Sequence, residues 1–171
     1  YEYNYVDDQY DGKWTYYHPN GKVAQTGFYE KGKATGTWYH YYATGKKQKE
    51  TIWKEGKRNG RCQGWYENGK LKFDMVFIND VTNSDYPPKY LYADGRPAFE
   101  TKTENGRSSI IYYYETGEVF LTVEGINSLI ELNCFHKNGK PYFKTTMKDE
   151  KTVNGKMIVW YENGNKRAEA T

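Results

Sequence analysis

Three similar stretches decide the fold: residues 12–22 read GKWTYYHPNGK, residues 36–46 read GTWYHYYATGK, and residues 60–70 read GRCQGWYENGK. Each stretch begins with a glycine, continues through ring-bearing residues and ends in Gly-Lys. Aromatic residues followed by a glycine-containing turn are typical of a β-hairpin. The sequence therefore predicts a repeated hairpin, and the rest of the chain can be compared with the same period.

The turn glycine recurs along the whole chain at intervals of 22 to 26 residues. Because Asn-Gly and Asp-Gly favour type I′ turns, in which both central residues have a positive φ, we expect a tight two-residue turn at each glycine. A second, looser turn is indicated at Gly32, Gly56, Asp80, Gly106, Ser128 and Glu150. The hairpin turns are predicted at Gly21, Gly45, Gly69, Gly95, Gly117, Gly139 and Gly164.

The order G-x-W-x-x-Y-x-x-x-G-K, seen in Gly12, Trp14, Tyr17 and Gly21-Lys22, resembles the MORN repeat. More closely, it is similar to the bacterial MORN variant repeat of YwqK-type antitoxin-component proteins. The pattern is strong over residues 12–69 and 155–164, and it weakens over residues 81–153. The resemblance implies a bacterial protein, with the role of an antitoxin or immunity partner to a toxin among the expected functions.

We expect an all-β fold, an elongated single-layer antiparallel β-meander of MORN-type hairpins with about 12–14 strands and little or no helix. A single array is predicted over residues 1–171, cut within a repeat at both ends. The 19 Tyr, 7 Phe and 5 Trp supply the apolar area of such a thin sheet. No run of 18 apolar residues indicates a transmembrane helix. The chain starts at Tyr1 instead of Met, which slightly favours an exported or envelope-associated bacterial protein, its signal peptide removed, over a cytoplasmic one.

Residue types that carry chemistry are sparse. The two cysteines, Cys62 and Cys134, are expected about 29 Å apart, six strand spacings, so we predict free thiols. His18, His40 and His136 occupy positions that hold Tyr in other repeats, so we interpret them as structural. Motifs for a catalytic nucleophile, a phosphate-binding loop or a metal site are absent. The sequence therefore predicts a protein that is not an enzyme and binds no cofactor or metal.

Aromatic residues are expected on both faces of the sheet, because side chains alternate along a strand. Exposed aromatic patches mark binding sites, and Tyr and Trp are preferred at protein interfaces. The alternative interpretation is that the twist of the sheet buries the rings against one another. The candidate protein-binding residues are Trp14, Tyr16, Trp38, Tyr42, Trp65 and Tyr66.

A basic residue follows most of the turn glycines and would line one edge of the sheet. Such a row would attract anionic lipid headgroups, although Lys at strand ends also serves to discourage aggregation. The candidate anion- or lipid-binding residues are Lys22, Lys46, Lys70, Arg96 and Lys140. We call these five residues the basic row.

The sequence thus favours a non-enzymatic binding module that contacts another protein, such as a toxin, through its aromatic face. The alternative is an envelope- or membrane-surface scaffold that contacts anionic headgroups through the basic row, and a stacked carbohydrate is a third ligand class. The net charge of +3 is too small to indicate nucleic acid. Neither the identity of the partner nor the oligomeric state follows from the sequence.

Overall fold

The computed structural model describes residues 5–104, 107–126, 128–148 and 153–171. These residues form 17 antiparallel strands and no helix, and so they include no helix long and apolar enough to cross a membrane. The predicted all-β meander of hairpins is confirmed. Four strands have only two residues, and the 13 longer ones match the expected number.

The chain divides into two compact units, Tyr1–Gly95 and Arg96–Thr171. The main sheet of the first unit has the order β10-β8-β7-β6-β5-β4-β3, with β9 also paired to β8, while β1 and β2 form a separate hairpin. A single array over residues 1–171 stays a prediction. The strands of this unit are β1 (Tyr5–Val6), β2 (Gln9–Tyr10), β3 (Gly12–Tyr17), β4 (Val23–Glu30), β5 (Lys33–Tyr41), β6 (Lys47–Lys54), β7 (Lys57–Trp65), β8 (Leu71–Ile78), β9 (Val81–Thr82) and β10 (Lys89–Tyr90).

The second unit is a seven-stranded sheet whose strands follow the order of the chain. Aromatic contacts in this unit include Phe99 against Tyr112, with ring centroids 5.5 Å apart. The strands are β11 (Phe99–Glu104), β12 (Arg107–Tyr113), β13 (Val119–Ile126), β14 (Leu129–Phe135), β15 (Pro141–Met147), β16 (Met157–Trp160) and β17 (Lys166–Ala170).

Six of the turns at the predicted glycines are three-residue loops, each closed by a pair of backbone hydrogen bonds, and at Gly95 the glycine amide donates to the carbonyl of Tyr92 at 2.8 Å. In all seven turns the residue before the glycine has no positive φ, so the prediction of type I′ turns there is wrong. In the first, the amide of Gly21 donates to the carbonyl of His18 at 2.9 Å, and the amide of His18 donates to the carbonyl of Lys22 at 2.7 Å. Gly21 has a φ of 81°, whereas Asn20 does not have a positive φ. This is a type I turn followed by a left-handed glycine. Asn20 is favoured for another reason, since its Oδ1 accepts the amide of Lys22 at 3.1 Å.

The second turns, which we expected to be looser than the turns at the hairpin glycines, are tight two-residue turns. Both residues of Lys31-Gly32 have a positive φ, 49° and 74°, and the same holds for Glu55-Gly56 and Asn79-Asp80. Positive φ at both central residues defines the type I′ turn. The second turns predicted at Gly106 and Glu150 lie outside the described residues.

Trp38 is the centre of packing in the first unit. Its side chain is only 4% exposed, and its ring centroid lies 5.6 Å from that of Trp14 and 5.0 Å from that of Tyr29. Cross-strand pairs place the same row of side chains on one side of the sheet. We call this side the Trp14 face, and its central row is Trp14, Gly27, Trp38, Thr51, Cys62 and Met75. The other side, the Thr15 face, carries the row Thr15, Thr26, Tyr39, Glu50, Gln63 and Asp74.

Two strand glycines leave room for the rings on the Trp14 face. A Cβ atom at Gly27 would lie 2.2 Å from the ring of Trp38, and one at Gly64 would lie 2.2 Å from the ring of Phe73. Gly27 and Gly64 therefore act as the floor beneath these two rings.

On the Thr15 face, the buried carboxylate of Asp74 fixes the loop between β9 and β10. The guanidinium of Arg61 donates to its two oxygens at 2.9 and 2.6 Å, and the hydroxyl of Tyr86 donates to Oδ2 at 2.9 Å. The hydrogen bonds from Arg61, and then from Tyr86, outweigh burial and lower the pKa of Asp74.

Replacing Gly27 by Ala should destabilise the first unit by about 1–3 kcal/mol or more, because the new methyl group overlaps the ring of Trp38. Chemical denaturation of the full chain measures the change. Gly125→Ala is the matched control, since nothing lies within 4 Å of its Cβ position and its φ is not positive. That control should shift stability by no more than about 1 kcal/mol. Equal effects of the two substitutions would contradict the packing described.

The stability contributed by Asp74 should be lost in acid. A carboxyl group whose pKa is lower in the folded than in the unfolded state stabilises the fold above its unfolded pKa, about 3.9, and this contribution fades as the pH falls through the folded value. Asp74→Asn should cost about 1–3 kcal/mol at pH 7. We expect urea unfolding to show a smaller difference between variant and parent at pH 3. The control is Asp85→Asn, an exposed residue in the loop between β9 and β10, which should behave like the parent at both pH values.

Candidate functional site

Within each unit, hairpin turns are hydrogen-bonded to the turns that follow them. Side chains at up to three positions of one turn reach backbone carbonyl oxygens in or beside the next, and we call this set of bonds the turn ladder. Because a thin sheet has little buried volume, these bonds fix the spacing of neighbouring hairpins along one edge. Between the first two turns they join His18 Nε2 to Tyr41 at 2.9 Å, Asn20 Nδ2 to Ala43 at 2.7 Å and Lys22 Nζ to Thr44 at 2.7 Å.

Tyr and His are interchangeable at the first ladder position because both reach the same carbonyl. The hydroxyl of Tyr42 donates to the carbonyl of Trp65 at 2.8 Å, and that of Tyr66 donates to Leu91 at 2.9 Å. In the second unit Nε2 of His136 lies 3.3 Å from the carbonyl oxygen of Trp160. The structural interpretation of His18 and His136 is therefore confirmed.

The basic row belongs to the same ladder. Lys70 Nζ donates to the carbonyl of Asp94 at 2.6 Å, and Arg96 Nη2 donates to the carbonyl of Glu115 at 2.7 Å. Lys46 and Lys140 make equivalent bonds at 2.8 Å. The cations of this row are thus already held by turn carbonyls, and anion binding there stays a prediction.

The structure separates the six candidate protein-binding residues. Trp14, Tyr16 and Trp38 contact one another on the Trp14 face, where Trp38 is buried and Tyr16 remains 38% exposed. Tyr42 and Tyr66 belong to the turn ladder. Trp65 pairs with Leu71 away from this cluster, and the ammonium of Lys47 lies 5.2 Å from its ring centroid. Protein binding at these residues is untested and stays a prediction.

A second row on the Trp14 face contains hydrogen-bond donors. The cross-strand pairs run Tyr16 to Gln25, Gln25 to His40, and His40 to Lys49. Among the described residues, the side chains of Gln25, His40 and Lys49 make no hydrogen bond or ion pair, and all three are half-buried. We call these three residues the donor row. Beyond Lys49, the same line of cross-strand pairs continues through Gly64, Phe73 and Tyr90.

No carboxylate balances the donor row on its own face. The acidic residues within β3–β8 are Glu30, Glu50 and Asp74, and strand alternation places all three on the Thr15 face. Burial, and then the positive charge of Lys49, lower the pKa of His40 to about 4. At neutral pH the row therefore presents an amide, a neutral imidazole and one ammonium group.

Gln25 and Lys49 are not among the residues predicted from the sequence, although the repeat carries a signal for them. The corresponding row of the second unit is entirely apolar, aromatic or cysteine: Phe99, Tyr112, Leu121, Cys134, Phe143, Val159 and Ala168. Three successive polar residues in this row depart from the rest of the repeat. A comparison of strand rows across repeats would have identified them.

Metal-ligating and redox side chains do not converge in the part of the chain that the structure describes. No group of three or more His, Cys, Asp or Glu side chains is placed to hold a metal ion there. Cys62 and Cys134 are free thiols, and burial raises the pKa of the Cys134 thiol. The Thr51 hydroxyl lies 3.3 Å from the sulfur of Cys62 in the packed interior of the sheet.

Comparison with known proteins gives a family. The sequence profile of the MORN repeat variant matches residues 10–31, 34–55, 58–79 and 153–171. The chain belongs to the MORN repeat variant family. Each of the first three matches runs from one tight turn to the next, so one MORN unit comprises both strands of a hairpin and its three-residue loop. All four matches lie outside residues 80–152, where the pattern weakens. No curated protein matches the chain.

Tyr42→Phe should destabilise the first unit by about 0.5–1.5 kcal/mol, because the carbonyl of Trp65 loses its hydrogen bond while the ring stays in place. Thermal or urea unfolding measures the change. Tyr161→Phe is the control, since Tyr161 holds the same ladder position in the last turn, is 51% exposed and makes no hydroxyl hydrogen bond within the described residues. A loss of stability in Tyr161→Phe equal to that in Tyr42→Phe would argue against the turn ladder.

Proposed function

We propose that this MORN-repeat protein is a non-enzymatic binding module that contacts another protein through the Trp14 face of its first unit. The observation that carries the proposal is an exposed aromatic surface with a rigid support. Tyr16 and Tyr90 are 38% and 40% exposed, and they lie at opposite ends of one cross-strand row. Aromatic side chains that are exposed but anchored lose little conformational entropy on binding, which suits an interface.

On the Trp14 face, buried rings support the surface and exposed rings are available to contact a partner. Trp38 is packed between Trp14 and Tyr29, so it supports the surface and offers little of its own ring to a partner. Tyr16 stacks on Trp14 with centroids 6.3 Å apart, which holds an exposed ring in a fixed orientation. The contacting residues are thus Tyr16 and Tyr90, with the half-buried rings between them.

The family supports a binding role, because its repeats are generally non-catalytic modules. The resemblance to antitoxin-component repeats points to a toxin as the protein partner. Co-expression of the chain with a toxin encoded beside it would test that narrower proposal.

Contact of the basic row with anionic lipid is the weaker alternative. Each of its five cations donates to a turn carbonyl, so binding a headgroup would exchange one hydrogen bond for another. Sedimentation with anionic vesicles that is abolished by Lys22→Gln and Lys140→Gln, but not by changes on the Trp14 face, would favour the lipid alternative.

Selection of binders from a displayed random-peptide library tests the proposed face. We expect Tyr16→Ala and Tyr90→Ala each to weaken selected binders by about tenfold or more, since interface Tyr residues often contribute more than 1.4 kcal/mol. The matched control is Phe28→Ala, which removes a 51% exposed ring from the Thr15 face of the same sheet. If Phe28→Ala weakens binding and the two Tyr variants do not, the Trp14 face is not the interface.

A further inference from the structure

The donor row lies in a shallow strip of the Trp14 face with rings around it. Along the strands, Trp38 stands two residues before His40 in β5, and Tyr42 two residues after it. Across the strands, the row ends at Tyr16 on one side and at Phe73 and Tyr90 on the other, whose ring centroids are 6.3 Å apart. The polar groups of the row are therefore bordered by aromatic side chains in both directions.

The strip has the length of a short extended peptide. The donor row is part of a longer cross-strand row from Tyr16 to Tyr90, to which seven strands contribute one residue each. Six spacings of ~4.8 Å give this longer row a length of roughly 29 Å. An extended chain advances ~3.3–3.6 Å per residue, so about nine residues would cover the row.

The hydrogen-bonding groups of the row suit a carboxylate. Lys49 supplies only donors and a full positive charge, and the amide and imidazole of Gln25 and His40 each supply an N–H group. Carboxylates accept such bonds strongly when the donor is charged. Because the carboxylates of β3–β8 all belong to the Thr15 face, no acidic side chain of this sheet competes for the row.

We propose that the donor row binds an extended acidic segment of a protein partner, with a carboxylate of that segment held by Gln25, His40 and Lys49. The proposal rests on the proposed function and specifies the chemistry of the partner. Nucleic acid is a poorer fit, because the row offers one permanent cation where a phosphodiester chain carries a charge at every nucleotide.

The bound carboxylate should also change the titration of His40. The cross-strand neighbours of His40 are Gln25 from β4 and Lys49 from β6, and Trp38 and Tyr42 stand two residues before and after it along the chain. Burial, and then the charge of Lys49, lower the pKa of His40 to about 4. A carboxylate placed beside the ring raises that pKa, so binding takes up a proton and tightens as the pH falls from 7 towards 5.

Titration of the full chain with a nine-residue glutamate peptide tests the inference by NMR, with a nine-residue glutamine peptide as the uncharged probe. We expect the glutamate peptide to perturb the amide signals of Gln25, His40 and Lys49, to bind about tenfold or more tightly than the glutamine peptide, and to raise the pKa of the His40 imidazole. Affinity should fall with added salt.

Two variants locate the site without removing the fold. Lys49→Gln installs the residue type that Gln25 shows at the equivalent repeat position, and it should weaken the glutamate peptide about tenfold. His40→Tyr installs the residue type of Tyr16, and it should remove the tightening at lower pH. Lys13→Gln is the matched control, because it removes one positive charge from the Thr15 face of the same sheet and should change affinity less than twofold.

Four outcomes would overturn the inference: no perturbation of the row at millimolar peptide, equal binding of the two peptides, equal losses in Lys49→Gln and Lys13→Gln, or tighter binding of oligothymidylate at the same residues. Equal binding of both peptides at the Trp14 face would remove only the acidic preference and would leave the proposed function standing. A library selection whose binders avoid the Trp14 face altogether would instead remove the proposed function.

Discussion

Hydrogen bonds between successive turns hold the hairpins of each unit together. A single-layer sheet has almost no interior, and the buried hydrophobic side chains among the described residues are Ala24, Trp38, Cys62 and Phe77. Order must then come from regular local bonds. The ladder supplies them by using backbone carbonyls in and beside the three-residue loops, as when Lys46 Nζ bonds to Glu67 and the hydroxyl of Tyr42 bonds to Trp65. Its repetition keeps neighbouring hairpins in register along one edge.

That constraint limits where function can reside. Residues that recur at ladder positions are occupied by structure, which is why the basic row and the tyrosines beside the turn glycines are poor candidates for ligand contact. Trp38 is similarly committed, because it fills the space above Gly27. A ligand is best recognised by residues that depart from the repeat, and in the first unit these are Gln25, His40 and Lys49. Stability and recognition can then be altered separately by mutation.

The repeat also explains why both faces tolerate aromatic residues without a second layer. On the Trp14 face the rings pack on glycine and on each other, while on the Thr15 face hydroxyl pairs and ion pairs are mixed with rings. Thr15 and Thr26 share a hydrogen bond of 3.2 Å at one end of the central row, and Asp74 at the other end binds Arg61. The carboxylates of β3–β8 lie on the Thr15 face, where Glu50 and Asp74 are ion-paired.

The hairpin period, the position of each turn glycine, the antiparallel meander and the family could all be predicted from the sequence, because these depend on local preferences repeated along the chain. The turn type predicted from the sequence was wrong, since the role of Asn20 depends on hydrogen bonds to its own loop and to the next one. Which rings are buried and which cations are held by carbonyls was decided only by tertiary structure. Those properties depend on the cross-strand neighbours of a residue, and bulges set that register. The donor row is the clearest case, because its three residues are far apart in sequence and become neighbours only when the strands pair.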